Sequence, residues 1–585
     1  MTTYDVCVIG SGAGGGAAAA RLAAHGKKVI ILEKGPWYGV DQFLRDEVVQ
    51  VRRPVFYSDK RYEPQVEESW NHSTVGGGRP SGTFWNGNIV GGSSLFMSGF
   101  WTRMKPDDFK VRSTYGEIAG GNRADWPISY DDLEPYYAEV EQLVGVGGRM
   151  IDMPPMLTEK RSTTLPLPPL KEHPFARLVD AVGPKLGLHP MPLPRAVLPD
   201  DPATKASKHH TEDGRDPCDY NGYCGSYACN TGAKGSSHAA WLPKAQRNGA
   251  EIRARAMVFY LETDPKGGKV TEARYMDAAG KVQRVKARAF VVACQAHESA
   301  RLLLNSGRPG VHPNGLANGS GQVGRNLLFS TFGAGWGEFV HAKLDPAWRK
   351  ALQETDQPFM NRVIQDFYWY DPSTGTSSLE RNAGKGSSPG KGMNPGGTLN
   401  FLPVHPNPIA GAQERVFGEE GQAIPVWGQA LKDRLHYWFR EQTPMKFEVF
   451  GEWTPSPNAH VRIDPRVRDR WGIPVSRIRA FSHPRDRDNA VFLVEQCKRI
   501  LRAMGAENVR SVRSYGGPST NLIGGTCRMG EDPRTSVLNR DGRTHEVENL
   551  YVTDASFFPS GGRVPFTATI YANALRVADG LAKKL

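Results

Sequence analysis

The chain has 585 residues, more than one hydrophobic core usually serves, so two domains are expected. Hydrophobic residues make up 39% and charged residues 23%, with 65 Gly and 43 Pro, the composition of a soluble protein with many ordered loops rather than of a disordered chain. A net charge of +12 suits an anionic partner or a plain basic surface, but no Lys/Arg cluster interleaved with aromatics points to nucleic acid, and no run approaches the ~18 apolar residues of a membrane span.

The first apolar run begins at residue 4 and leaves no room for a basic leader segment. The expectation is therefore a chain made in the cytoplasm without its own signal peptide, staying there or reaching the periplasm with a partner subunit. Seven cysteines, odd in number and unevenly spaced, argue against a disulfide framework. Cys7 and Cys294 fall in apolar strand-like runs and read as core.

Residues 4–9 (YDVCVI) read as a buried strand, residues 10–15 (GSGAGG) as a turn, residues 17–24 as a helix and residues 29–32 (VIIL) as a second strand ending in Glu33. Gly10 permits the tight turn, Gly12 lets the backbone approach a pyrophosphate, and Gly15 lets the helix sit close to the strand. The helix N-terminus then offers free N–H groups to phosphates. Glu33 stands where an acid would bond ribose hydroxyls. Residues 88–94 (NIVGGSS) read as a loop entering a helix, suited through Gly91, Gly92 and Ser93 to a phosphate or ring edge, or else a simple turn.

Further on, Ser129 is placed to cap an amphipathic helix with Leu133, Tyr136, Tyr137, Val140 and Val144 on its apolar side, and Pro135 either kinks it or marks its first turn. Residues 153–170 form a proline-rich connector, and residues 172–188 return to helix. Strands are expected at 251–258, 287–292, 446–453 and 458–464, and helices at 298–305, 486–504 and 567–584. In the helix at 486–504 the apolar side reads as Val491, Leu493, Val494, Cys497 and Ile500. Residues 371–397, rich in Gly, Ser, Pro and Lys, form a long loop.

Several segments together resemble the glucose–methanol–choline (GMC) family of FAD oxidoreductases. They are GSGAGGG with ILEKG near the start, VGGSSLFMSGFWTRMKPDDF, DWPISYDDLEPYYAEVE, SGQVGRN at 320–326, GGTCRMG at 524–530 and NLYVTDAS at 549–556. The resemblance spans essentially the whole chain. It implies an α/β protein with a Rossmann-like FAD-binding domain from residues 1–125, 206–330 and 515–585. A second, α+β substrate domain on an antiparallel sheet would come from 126–205 and 331–514. The FAD contacts it implies are Gly10, Gly12, Gly15, Glu33, Gly91, Gly92, Ser93, Asp554 and Ala555. Phe96 and Met97 occupy the stretch where some relatives carry a flavin-linking His, so FAD held without a covalent bond is expected.

Residues 216–234 place Cys218, Cys224 and Cys229 in a loop of Gly, Asn and Tyr. Thiolates prefer soft metals. A zinc site would need a fourth ligand such as His238 or His209. A three-iron cluster needs only three thiolates, and free structural thiols are the third reading. The segment resembles the cluster loop in the flavoprotein subunits of bacterial gluconate, fructose and glucose dehydrogenases. Residues 219–223 lack the additional cysteine often found there, which implies a [3Fe–4S] centre. It also implies a small accessory subunit and an electron-accepting cytochrome or quinone-linked protein.

The family oxidises alcohols with a His that takes the hydroxyl proton, assisted by a second His or an Asn. Alignment on Gly525 and Thr526 puts Leu522 at the first position, alignment on Gly524 puts Asn521 there, and alignment on Pro565 puts Val564 at the second. Leu and Val move no proton, and Asn orients a hydroxyl but is a poor base. His405 or His436 could substitute. The expected activity is oxidation of a sugar, polyol or related alcohol, with electrons relayed to a partner protein. The alternative is a flavoprotein subunit with a structural or electron-relay role.

Overall fold

The strand Val29–Leu32 is buried at every position, as a parallel strand covered on both faces must be. It belongs to a seven-stranded sheet that begins with Glu251–Arg253, Val29–Leu32, Thr3–Ile9 and Val282–Val292, all parallel to their neighbours, with Leu550–Val552 also parallel to Val282–Val292. Val270–Met276 and Met257–Thr263 extend it antiparallel. The computed structural model describes residues 3–49, 59–68, 79–81, 84, 86–356, 362–381, 392–417, 425–519 and 522–585.

The helix Ala13–Ala24 follows the opening strand and packs against the closing helix Thr567–Ala582. Its small residues set how deep it sits. A Cβ on Gly15 would lie 1.9 Å from the carbonyl oxygen of Gly10, and one on Gly14 would lie 2.2 Å from that of Thr553.

A second sheet, antiparallel throughout, has six strands: Glu507–Pro518, Thr331–Val340, Gln442–Gly451, Gly397–Pro403, Arg362–Ile364 and Met191–Pro192. Phe447 and Val449, with Leu399 and Phe401 from the neighbouring strand, meet Leu493, Val494, Cys497 and Ile500 of the helix Pro484–Ala503 in one buried cluster. The helix is where the periodicity places it, but Val491 is 38% exposed and Ala490 is buried instead. The apolar stripe therefore runs one residue differently from the expected one.

A third, mixed sheet was not signalled by the sequence beyond one strand. It orders Gly524–Thr526, Arg325–Leu328, His460–Arg468, Pro474–Arg479, Gln65–Glu67 and Arg79–Ser81. Ser129 does cap the helix Tyr130–Val144, accepting from the Asp132 N–H at 3.2 Å while its own N–H donates to the Asp132 carboxylate at 2.7 Å. Pro135 sits inside that helix rather than in its first turn. The stretch 371–397 carries a short helix, Ser378–Arg381, and residues 382–391 of it lie outside the described residues. Among the described residues no helix is long and apolar enough to cross a membrane.

The packing of Gly15 yields a direct expectation. Gly15→Ala forces its methyl into the Gly10 carbonyl, so the variant should lose ~1–3 kcal/mol of stability. Thermal melting of the cofactor-free protein measures this, and an unchanged melting temperature would contradict the packing.

Candidate functional site

A cavity of about 320 Å³ runs from the glycine turn to the exposed face of the antiparallel sheet. At its near end Gly10 has φ +96°, a left-handed conformation that favours glycine, and its N–H donates to the Leu32 carbonyl at 2.9 Å. Gly12 differs from Gly14 and Gly15: a Cβ there would meet nothing within 4 Å. The space facing Gly12 is therefore open at the start of a helix, where backbone N–H groups are unpaired.

Ser11 ties this turn to its surroundings. Its N–H and Oγ both donate to Glu33 Oε2, at 2.9 and 2.7 Å, and Oγ accepts from the Gly91 N–H at 2.8 Å. Its carbonyl accepts from Ser237 Oγ at 2.7 Å. The other oxygen of Glu33 accepts from the Gly35 N–H at 2.8 Å. Gly91, at φ +96°, and Gly92 bring the second loop so close that a Cβ on Gly92 would lie 3.0 Å from the Gly12 Cα. Ser93 is exposed, and its Oγ accepts from the Gly87 N–H at 2.9 Å. Ser11 was within sight in the sequence motif, but nothing there marked its hydroxyl as the joint between Glu33 and Gly91.

Farther along the cavity Asp554 accepts from the Gln295 N–H at 3.0 Å, the Ser556 N–H at 2.8 Å and the Ser299 hydroxyl. Burial pushes its carboxyl above the usual range. Ala555 begins a short helical turn, and it lines the cavity with Asp554, Phe96 and Met97. Cys294, expected in the core, is half-buried and lines the same cavity, with its thiol donating to the Ile9 carbonyl at 3.3 Å. Its strand ends at Val292, so the side chain falls just past the sheet.

The far end is lined by Phe100, Phe332, His405, Lys446, Glu448, Phe450, Leu522 and Pro565. Leu522 faces the cavity, whereas Val564 is 1% exposed and packed in the core. Asn521 lies outside the described residues. Of the two substitute histidines, His436 stands at the surface, bonded to Glu441 at 2.8 Å. His405 lies in the cavity wall, pushed down to about 3 by burial and by the charges of Lys446, Lys234 and Arg195. It is therefore a neutral imidazole at physiological pH.

Cys218, Cys224 and Cys229 are free thiols that line one small second cavity with Arg195, Tyr220, Thr231 and Lys234. Burial, and then the charge of Cys224, push the Cys218 thiol up. Lys234 is buried and donates to the carbonyls of Cys224 and Tyr227, at 2.8 and 2.7 Å. Burial pushes it down to about 8, against the opposing pull of Cys224 and Cys229. Among the described residues no carboxylate pairs with it, and the three thiols line the same small cavity.

Neither histidine named for zinc joins the thiols. His238 donates to the Tyr38 carbonyl at 2.9 Å between the rings of Trp37 and Phe43, and His209 lies on the short surface helix Lys208–Thr211. Among the described residues no three His, Cys, Asp or Glu side chains converge as ligands of a single ion. The two cavities nearly touch. Gly225 follows Cys224 directly, and a Cβ there would lie 2.6 Å from Ser98 Oγ and 3.1 Å from His405 Nε2, both groups of the long cavity.

Models of the GMC oxidoreductase family match residues 204–331 and 455–574, and an FAD binding domain matches residues 5–42. The 6'''-hydroxyparomomycin C oxidase of Streptomyces lividus is 30% identical over 100% of this chain and 92% of its own length. The fructose dehydrogenase large subunit of Gluconobacter japonicus is 27% identical over 99% of this chain and 98% of its own. Among solved structures, pyridoxine 4-oxidase from Mesorbium loti aligns over 99% of both chains with a TM-score of 0.59 at 19% identity, a likeness of fold. With the open glycine turn, the parallel sheet behind it and the antiparallel sheet facing it, this chain belongs to the GMC oxidoreductase family and is an FAD-dependent oxidoreductase.

Proposed function

We propose that the protein oxidises a hydroxyl group of a sugar, polyol or related alcohol in the long cavity, and that its electrons leave through a [3Fe–4S] cluster held by Cys218, Cys224 and Cys229. The observation that carries the first part is the continuity of one cavity from Gly12 to a polar wall of His405, Lys446 and Glu448. When bound, FAD supplies the acceptor for the hydride and the cluster supplies one-electron steps. Gly10, Gly12, Gly92 and Ser93 would hold FAD against the turn, Gly15 and Gly91 would set that turn and loop from behind, Glu33 would bond its ribose, and Asp554 and Ala555 would line its path. Phe96 and Met97 offer no group to bond the flavin covalently.

The substrate hydroxyl must lose a proton as its carbon loses a hydride. Leu522 and Val564 take no part in that transfer. His405, neutral at physiological pH, can accept a hydrogen bond and orient the hydroxyl, but a group with so low a pKa is a poor keeper of the proton. The proton therefore passes on to solvent water rather than staying on His405.

The thiol loop suits the cluster in two respects. The three thiolates of such a cluster sit on different irons, so they need not converge on a point as ligands of one ion do. A thiolate cluster would supply an anionic group to offset the buried amine of Lys234, which otherwise bonds only backbone carbonyls among the described residues. The fructose dehydrogenase relative is a large subunit, which supports assembly with further subunits here, which we take to be an accessory subunit and a cytochrome or quinone-linked acceptor. The compartment follows that partner.

Three measurements test this reading. Anaerobic mixing with a panel of sugars, polyols and apolar alcohols should bleach the visible flavin band with a sugar or polyol. A flavin that none of them reduces would favour a subunit that only relays electrons. Gly12→Ala should fold with stability unchanged to within about 0.5 kcal/mol yet bind FAD at least ~10-fold more weakly, because its methyl enters the space the pyrophosphate needs. Equal FAD affinity in a fluorescence titration would remove the role given to Gly12. Metal analysis of anaerobically purified protein should find about three irons per chain, lost in the Ser variants of Cys218, Cys224 and Cys229, whereas zinc or no metal would reject the cluster.

A further inference from the structure

The strand Gln442–Gly451 uses its two faces differently. Met445, Phe447 and Val449 point into the core beneath the helix Pro484–Ala503. Lys446, Glu448 and Phe450, on the alternate positions, line the long cavity. Phe450 has Phe332 of the paired strand 6.0 Å away, centroid to centroid, and Phe100 6.4 Å away, so this end of the cavity has an aromatic wall.

Two opposite charges stand in that wall. Lys446 Nζ donates to Glu448 Oε1 at 2.5 Å, with the side chains 29% and 15% exposed. Among the described residues neither head group has another hydrogen-bond partner. Such a pair does little for folding: partly exposed pairs stabilise weakly, and a buried pair is often no better than apolar residues of like volume. Phe332, Phe450, Phe100 and Leu522 show that this wall tolerates apolar side chains. The pair does provide unused valence toward the cavity, since an ammonium has three donors and a carboxylate roughly four acceptor sites, of which the mutual bond takes one each.

We propose that Lys446 and Glu448 form a subsite for two neighbouring hydroxyls of one substrate molecule. Glu448 accepts from one hydroxyl, Lys446 donates to the other, and Phe450 with Phe332 covers the C–H face of the carbon skeleton between them. The subsite makes the protein selective for vicinal diols, as found in sugar rings and polyols, over monohydroxy alcohols of the same shape. This rests on the reading of the long cavity as an alcohol-oxidising site.

The test uses the FAD-loaded protein and two probes that differ by one hydroxyl, cis-1,2-cyclohexanediol and cyclohexanol. Anaerobic flavin reduction gives kcat/KM for each, and perturbation of the oxidised flavin spectrum, read before any reduction, gives each dissociation constant. The wild type should favour the diol by about tenfold or more. Glu448→Gln, nearly isosteric, and Lys446→Met, which keeps the side-chain length, should each bring that ratio toward one, mainly through KM and the dissociation constant. Thermal melting checks that both variants fold. A wild type that does not distinguish the probes, or variants that lose both probes equally and keep the ratio, would overturn the subsite. If neither probe reduces the flavin, the ratio of dissociation constants still decides the subsite, and the oxidation reading is decided separately by the panel of sugars and polyols.

Discussion

The carbonyl oxygen of Gly10 occupies the place where a side chain on residue 15 would begin, and much of the molecule depends on that approach. The helix Ala13–Ala24 can lie so close to the opening turn at Gly10, and to the backbone of Thr553, only because residues 15 and 14 have no Cβ. Its depth fixes where its first N–H groups point, and Gly12 leaves the space before them empty. The same turn is held from the other side through Ser11, whose hydroxyl joins Glu33 to the loop of Gly91 and Gly92. Packing against the strand and openness toward a ligand are thus settled within six residues, by glycines that differ in what faces them.

The antiparallel sheet solves a related problem with side-chain alternation. One strand, Gln442–Gly451, supplies both a core face and a cavity face, because successive side chains point oppositely. A buried ion pair links the elements around it. Arg563 donates to Asp108 Oδ1 through Nε at 3.0 Å and to the Tyr368 carbonyl at 2.9 Å, while Thr398 of the antiparallel sheet donates to the Arg563 carbonyl at 2.8 Å. With the guanidinium 4.1 Å from the Tyr368 ring, the backbone at residue 563 is anchored on three sides. Val564 follows immediately and is directed into the core. A polar residue there would have to be hydrogen-bonded within that core or bear the cost of burial without a partner.

The opening unit was legible in the sequence because strand, turn and helix are contiguous and each has a local signature. Gly10 stands in a left-handed turn and Gly15 in close helix packing, while Gly12 faces empty space. The helix Tyr130–Val144 was legible for the same reason, through the Ser129 cap. The third sheet was not: its strands are short and come from distant parts of the chain, so no local window contains the pattern. Lys446 and Glu448 looked like an ordinary alternating strand, and only the knowledge of which face meets the cavity separates them from surface charges. Asp554 and Ala555 were reached by resemblance alone, since nothing around them announces that residues 295 and 299 come across to meet the carboxylate.

The thiol loop shows how far contact can extend what spacing suggests. Three cysteines in a glycine-rich loop leave zinc, iron and plain structural thiols open. The fold then adds two facts that the spacing lacks. Lys234 places a buried cation against the loop carbonyls, with no carboxylate beside it among the described residues. Cys224 packs against the cluster that contains Phe100 and Phe450, while the next residue, Gly225, leaves no room for a side chain between the loop and the cavity wall at Ser98 and His405. A side chain at 225 would clash with Ser98 and His405 at the wall that separates the two cavities. Electron transfer weakens with distance, so the absence of that Cβ matters more to a relay between the proposed cluster and the flavin than to a zinc site or to inert thiols, neither of which needs the cavity close by.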